Sequence, residues 1–128
     1  MAIDFSMPIL VVDDYQTMVR IMRNLLKQIG YENVDEAANG AQALEKITAK
    51  RYDLVISDWN MEPMTGFQLL QKVRLHQPEL PFIMVTAESK TDNVIAARRA
   101  GVSQYIVKPF NAAILKAKID AVFAQEAA

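Results

Sequence analysis

Residues 9–14 read Ile9-Leu10-Val11-Val12-Asp13-Asp14, four apolar side chains running straight into two carboxylates. A short apolar run without alternation fits a strand buried on both faces, the kind that parallel sheets place at their centre. The same design recurs along the chain. Leu54-Val55-Ile56-Ser57 leads to Asp58, Phe82-Ile83-Met84-Val85 to Thr86, and Tyr105-Ile106-Val107 to Lys108. Strands of a parallel sheet all finish at one edge, so Asp13, Asp14, Asp58, Thr86 and Lys108 are expected to converge there. Three carboxylates at ~4 Å repel by several kcal/mol in a partly screened site. A divalent cation among them removes the conflict, and the lysine and hydroxyl beside it suit an anion. Such a set is equipment for moving a phosphoryl group.

Outward from these runs, strands are predicted at 8–12, 33–37, 53–57, 81–86 and 104–107, separated by helical stretches. That alternation is the βαβ pattern, and it predicts one doubly wound (βα)5 α/β domain with a five-stranded parallel sheet. The first helix spans 16–29 with Met18, Met22, Leu25, Leu26 and Ile29 inward, and Gly30 stops it. The second spans 40–49 with Ala43, Leu44 and Ile47 inward. The third spans 66–75 with Leu69, Leu70 and Val73 inward. The fourth starts at Thr91-Asp92 and stops at Gly101, burying Val94, Ala97 and Ala100. Asn111 caps the last helix, which buries Leu115, Ile119 and Val122. Open sheets of this kind bind ligands beyond the carboxyl ends of their strands. The acidic cluster is expected at that edge.

The 128 residues fit a single domain, with no linker, low-complexity tract or appended output domain expected over 1–128. A net charge of −1 gives no basic bias toward DNA or anionic lipid. The absence of cysteine removes disulfides and thiolate metal sites. The N-terminal residues lack a secretory pattern, and no apolar run approaches the ~18 residues of a membrane span. A cytoplasmic monomer is expected.

Each residue has a plainer reading. Asp13 or Asp14 serves as a helix cap, Asp58 opens a loop, Thr86 caps the fourth helix, and Lys108 pairs with any acid. A pair of aspartates needs only one cap, however, and four separate accidents at one sheet edge make a poor account. The plainer reading holds elsewhere. The seven methionines read as core filler. His76, the sole histidine, reads as a solvated helix end. Arg98-Arg99 reads as a wet helix face, with an anion site kept open.

Taken together, Val11-Val12-Asp13-Asp14, Asp58-Trp59-Asn60-Met61, Thr86-Ala87-Glu88 and Lys108-Pro109-Phe110 resemble the response-regulator receiver domain, most closely its chemotaxis-type members. The likeness covers nearly the whole chain. It implies a flavodoxin-like fold of strand order 2-1-3-4-5 and phosphoryl acceptance from a histidine kinase onto Asp58, with Mg²⁺ as cofactor. It implies Asp14 and Asp58 as direct metal ligands, Asp13 through water, and Asn60 through its carbonyl. Thr86 and Lys108 would hold phosphoryl oxygens, and the bond before Pro109 would be cis. Asn60 and Glu88 would tune loss of the phosphoryl group. Tyr105 would turn inward on phosphorylation and reshape a partner face of Val94, Tyr105, Val107 and Lys118. The partner implied is the flagellar switch, in chemotaxis. Such a protein catalyses only its own phosphotransfer and dephosphorylation.

Two features depart from the family pattern. Glu62 stands where the loop commonly has proline, with Pro63 one later, and Arg98-Arg99 makes the fourth helix more basic. Three other readings stay open: a receiver-like module binding an anionic effector such as a cyclic dinucleotide through Arg98 and Arg99, a phosphorelay shuttle, or a phosphate sink. A flavin carrier is disfavoured because Asp13-Asp14-Tyr15-Gln16 would repel a phosphate. A Mg²⁺-dependent phosphohydrolase lacks room for a cap domain.

Overall fold

The computed structural model describes residues 4–87 and 91–127. Five strands alternate with five helices: β1 Ile9–Val12, α1 Gln16–Ile29, β2 Val34–Ala37, α2 Gly40–Ala49, β3 Leu54–Asp58, α3 Gly66–His76, β4 Phe82–Thr86, α4 Thr91–Arg99, β5 Gln104–Val107 and α5 Ala112–Ala127. All pairings are parallel, and the strand order is β2-β1-β3-β4-β5. This is the expected doubly wound sheet. The three apolar runs form its central strands, and every residue of β1, β3 and β4 is buried.

Two cores follow from the two-residue period of the strands. Ile9, Val11, Leu54, Ile56, Ile83, Val85 and Ile106 face one way, against Val19, Met22 and Leu26 of α1 and Leu115, Ile119 and Val122 of α5. Leu10, Val12, Val55, Phe82 and Met84 face the other way, against Ala43 and Ile47 of α2 and Leu69, Leu70 and Val73 of α3. Burial on both faces accounts for the unbroken apolar strands. Met22, Met61 and Met84 are buried in these cores, as their reading as filler requires.

The local signals resolve in detail. Gly30 ends α1 at φ 126°, a conformation open to glycine, and its N–H reaches Leu26 O and Lys27 O. Asn111 Oδ1 accepts from Ile114 N–H at 2.9 Å, as a cap should. Two expectations shift, at the rotation and the cap of α1, while the glycine stop of the fourth helix holds. Val19 lies deeper in α1 than Met18, Leu25 or Ile29, which are only partly buried. Helix α4 ends at Arg99, two residues before Gly101, whose positive φ of 96° closes the helix as a glycine stop, with its N–H on Arg98 O. Tyr15 stands at the N-cap of α1 and makes no side-chain cap. Asp13 instead accepts at 2.9 Å from the N–H of Tyr15, two to three residues before the N–H groups that a cap would meet.

Helix α3 offers a test of this packing within one element. Leu69 is fully buried, whereas Leu75 is 80% exposed. Leu69→Ala is expected to lower the unfolding free energy by about 2–5 kcal/mol, and Leu75→Ala by under ~0.5 kcal/mol. Urea unfolding followed by circular dichroism measures both. Equal effects would place the helix in the wrong rotation.

Candidate functional site

Strand parity sorts the acidic edge before any side chain is placed. Asp58 ends β3 in step with Leu54 and Ile56, so it leans toward the α1/α5 side. Asp13 continues the step of Ile9 and Val11, and Lys108 that of Ile106, toward the same side. Thr86 follows Phe82 and Met84 toward the α2/α3 side, as does Tyr105. Asp58 is the final residue of β3, one beyond the expected strand end, and Thr86 ends β4 as expected.

The side chains meet as that register requires. Carboxylate oxygens of Asp13, Asp14 and Asp58 all lie within 4.8 Å of one another. Asp13 and Asp58 are buried, at 5% and 7% exposure, and Asp14 is exposed. Lys108 Nζ lies 2.9 Å from Asp58 Oδ1 as an ion pair. The approach is off the direction of a hydrogen bond, and this buried oxygen accepts none. The peptide bond before Pro109 is cis, as is that before Pro63. Thr86 is fully buried, and its carbonyl accepts from Lys108 N–H at 2.8 Å, tying the ends of β4 and β5 together.

Below the cluster lies a cavity of about 10 Å³ bounded by Val11, Val12, Asp13, Met18, Met22, Ile56, Asp58 and Val85. That is room for one water molecule at most. The apolar floor explains the charge state of Asp13. Burial pushes its carboxyl up to about 6, the Tyr15 N–H opposes the shift, and the charge of Asp58 adds to it. One lysine among three carboxylates leaves the edge negative, with a repulsion of roughly 3–4 kcal/mol per pair at this spacing. Hard oxygen donors, one of them buried without a hydrogen bond, fit Mg²⁺ or a similar divalent cation. Asp13, Asp14 and Asp58 would hold it.

The remaining predicted residues are spread more widely. Asn60 is exposed in the loop between β3 and α3. Glu88 lies outside the described residues. Tyr105 is half-buried, with its ring 6.3 Å from that of Trp59 at 67°, an edge-on contact. Trp59 also stacks on Phe67, at 5.3 Å and 22°. Val107 is exposed, and Val94 and Lys118 are half-buried. Arg98 and Arg99 are both exposed, but only Arg99 lines the open groove of about 460 Å³ between α3 and α4, with Phe67, Gln71, Asp92 and Ile95. Sequence reasoning missed Phe67 and the capping box of Thr65 and Gln68 at the start of α3. The second was legible, because Thr-x-x-Gln ahead of an apolar helix spells that box.

A family model described as the response regulator receiver domain matches residues 9–120. The chain belongs to that family. This receiver is 48% identical over 119 residues to the chemotaxis protein CheY of Pseudomonas aeruginosa, covering 91% of this chain and 96% of the relative. It is 47% identical over 120 residues to the chemotaxis protein CheY-3 of Vibrio cholerae, covering 92% of each. Among solved structures, the chemotaxis protein CheY4 of Vibrio cholerae superposes with a TM-score of 0.85 at 34% identity, over 91% of this chain and 98% of that one. The response regulator protein TrrA of Thermotoga maritima, solved in complex with Mg(2+)-BeF, superposes with a TM-score of 0.82 at 33% identity, over 91% and 98%. The receiver is of the CheY type, a signalling class rather than a conventional enzyme. No described helix is long and apolar enough to cross a membrane.

The raised Asp13 carboxyl has a pH signature. Its folded value of about 6 lies above the ordinary 3.8, so the folded protein holds the proton more tightly than the unfolded chain. Metal-free stability is therefore expected to fall as pH rises from about 4 through 6, by roughly 3 kcal/mol at most from this group. Asp13→Asn retains an oxygen for the Tyr15 N–H and removes this component. Urea unfolding of metal-free protein at acidic and neutral pH compares the two. The variant should gain on wild type only at the higher pH.

Proposed function

We propose that this receiver takes a phosphoryl group from a histidine kinase onto Asp58 and passes the change to a separate partner protein. One observation carries the reading: the Asp58 carboxylate ends the central strand, nearly buried, with Lys108 Nζ at 2.9 Å and two further carboxylates beside it. In the transfer, an Asp58 oxygen attacks phosphorus, the N–P bond of the phosphohistidine breaks, and the imidazole leaves with the electron pair. Lys108 balances charge on the incoming oxygens, and Thr86 at the adjacent strand end is expected to donate its hydroxyl to one. Mg²⁺ held by Asp13, Asp14, Asp58 and the Asn60 carbonyl would offset the charge of acceptor and donor alike. The complex of the Thermotoga maritima relative with Mg(2+)-BeF supports such a site.

The output reading rests on Tyr105 and Thr86. They lie on the same face of adjacent strands, with Met84 opposite Tyr105 and Thr86 opposite Val107. A hydroxyl drawn toward phosphorylated Asp58 vacates space on the Tyr105 side. The face of Val94, Tyr105, Val107 and Lys118 then changes shape. The chemotaxis names of the relatives favour the flagellar switch as partner and the cytoplasm as the place of action. Asn60 and Glu88 are assigned to tuning self-dephosphorylation. An anionic effector is the second reading. It gains the groove lined by Arg99 but loses Arg98, which does not line it. Calorimetric titration with a cyclic dinucleotide separates the two readings.

Asp58→Asn keeps the side-chain shape and removes the nucleophile. Labelling by kinase or by acetyl phosphate should disappear while the circular dichroism spectrum stays unchanged, and continued stable labelling would move the acceptor elsewhere. A second measurement follows the switch. With Mg²⁺ and beryllofluoride, whose fluorines and beryllium stand in for phosphoryl oxygens and phosphorus, resonances of Tyr105, Val94 and Val107 should shift together while those of α2 stay nearly still. A response confined to the Asp58 pocket would remove this face as the output.

A further inference from the structure

Gly66 opens α3, and its Cα lies hard against the backbone of the acceptor residue. A Cβ at Gly66 would stand 2.1 Å from the carbonyl oxygen of Asp58 and 2.9 Å from its carbonyl carbon. Nothing at that distance is tolerated without movement, and here the obstacle is main chain. Gly40, which opens α2, makes a useful contrast. A Cβ there would meet the side chain of Met64, whose Sδ can swing away and whose Cβ and Cγ, at 3.0 Å, need yield only a few tenths of an ångström. At Gly66 no such relief exists, so the helix or the end of β3 must shift.

The contact is one of several that grip the same pair of residues. Gly66 N–H donates to Trp59 O at 2.9 Å, and Trp59 N–H donates to Val85 O at 2.9 Å. Phe67 lays its ring on Trp59. Thr65 and Gln68 close the capping box around this turn, at 3.0 and 3.1 Å. Asp58-Trp59 is thus clamped between β4 on one side and the first turn of α3 on the other.

We propose that Gly66 and Phe67 are positioning residues for phosphoryl transfer: the first turn of α3 sets where the Asp58 carboxylate stands relative to Lys108 and the Asp13–Asp14 pair. Neither residue touches a reacting atom, and the inference rests on Asp58 being the acceptor. Displacement of an attacking group by about 1 Å lowers a rate by up to ~10²-fold, so a backbone contact this close is enough to govern the chemistry. Moving the Asp58 carbonyl tilts the peptide that carries the carboxylate, and the 2.9 Å approach of Lys108 opens.

Labelling of wild type by acetyl phosphate with Mg²⁺, and its absence in Asp58→Asn, tests the acceptor reading by itself. Gly66→Ala and Phe67→Ala are then compared with wild type at a temperature where thermal melts show each fully folded. Gly66→Ala is expected to slow labelling by about tenfold or more. It should also weaken Mg²⁺ binding, read from the emission of Trp59, the only tryptophan. Phe67→Ala, which removes only the stacked ring, is expected to slow labelling by more than about threefold. A merely structural role lowers the melting temperature and moves neither readout of the folded protein. A folded Gly66→Ala that labels within about threefold of wild type overturns the proposal. Should Gly66→Ala fail to fold, Phe67→Ala decides: labelling within about threefold of wild type overturns the proposal, and a larger loss supports it.

Discussion

A carboxylate buried at the end of the central strand is the constraint around which this domain is arranged. Asp58 sits at 7% exposure, where an ionised group is unfavourable unless an opposite charge or a set of donors meets it. The sheet supplies the opposite charge from two strands away. Lys108 reaches Asp58 because β5 pairs with β4 and β4 with β3 in a register that ends all three at one level. Slip any strand by one residue and its side chains change face, taking Lys108 or Asp58 out of reach. The dense apolar packing on both sides of the sheet therefore serves the site as well as stability, because it fixes that register.

The same constraint sets the charge state around it. One ammonium cannot balance three carboxylates within 4.8 Å, and the burden falls on the member with the least solvent. Asp13 lies over Met18 and Met22, and its carboxyl rises toward neutrality, while Asp14 stays in water. In the metal-free domain a proton on Asp13 relieves the cluster only at acidic pH, below its raised value of about 6. The three carboxylate oxygens lie close enough together for a divalent cation to relieve the same repulsion at neutral pH.

Much of this was legible in the sequence, and the reason is periodicity. Unbroken apolar runs such as Ile9–Val12 and Phe82–Val85 have no reading in this context except a strand covered on both faces, and each run ends at a polar residue that shares an edge with the others. Capping at Asn111 and the stop at Gly30 were equally plain, because their chemistry is local. Contacts between elements were not. Glycine leaves no side chain to read, so nothing in Thr65-Gly66-Phe67 announces that the Asp58 carbonyl lies against it. Val19 outranks Met18 in burial because the rotation of α1 is set by α5 and the sheet together, not by its own pattern. Arg98 and Arg99 look like a pair in sequence, yet neighbours on a helix point about 100° apart, and only one of them meets the α3 groove.

The sheet edge also divides the predicted site residues between its two faces. Asp13, Asp58 and Lys108 fall on the α1/α5 side, whereas Thr86 and Tyr105 fall on the side of α2 and α3. A change at Asp58 must therefore cross the edge to reach Tyr105. Two routes do so without leaving packed contact. One runs along the strand ends, through the Thr86 carbonyl that Lys108 N–H holds at 2.8 Å. The other runs along the chain itself. Trp59 follows Asp58, lies edge-on to Tyr105, and stacks on Phe67, so any tilt of the Asp58–Trp59 peptide displaces an aromatic ring touching both the strand-five tyrosine and the wall of the α3–α4 groove. Rings in such contact have a few discrete arrangements rather than a continuum, because close-packed side chains do not deform smoothly. On the proposed reading of Asp58 as acceptor, a small movement there would become a choice between packings on the far face, the conversion a two-state signal needs.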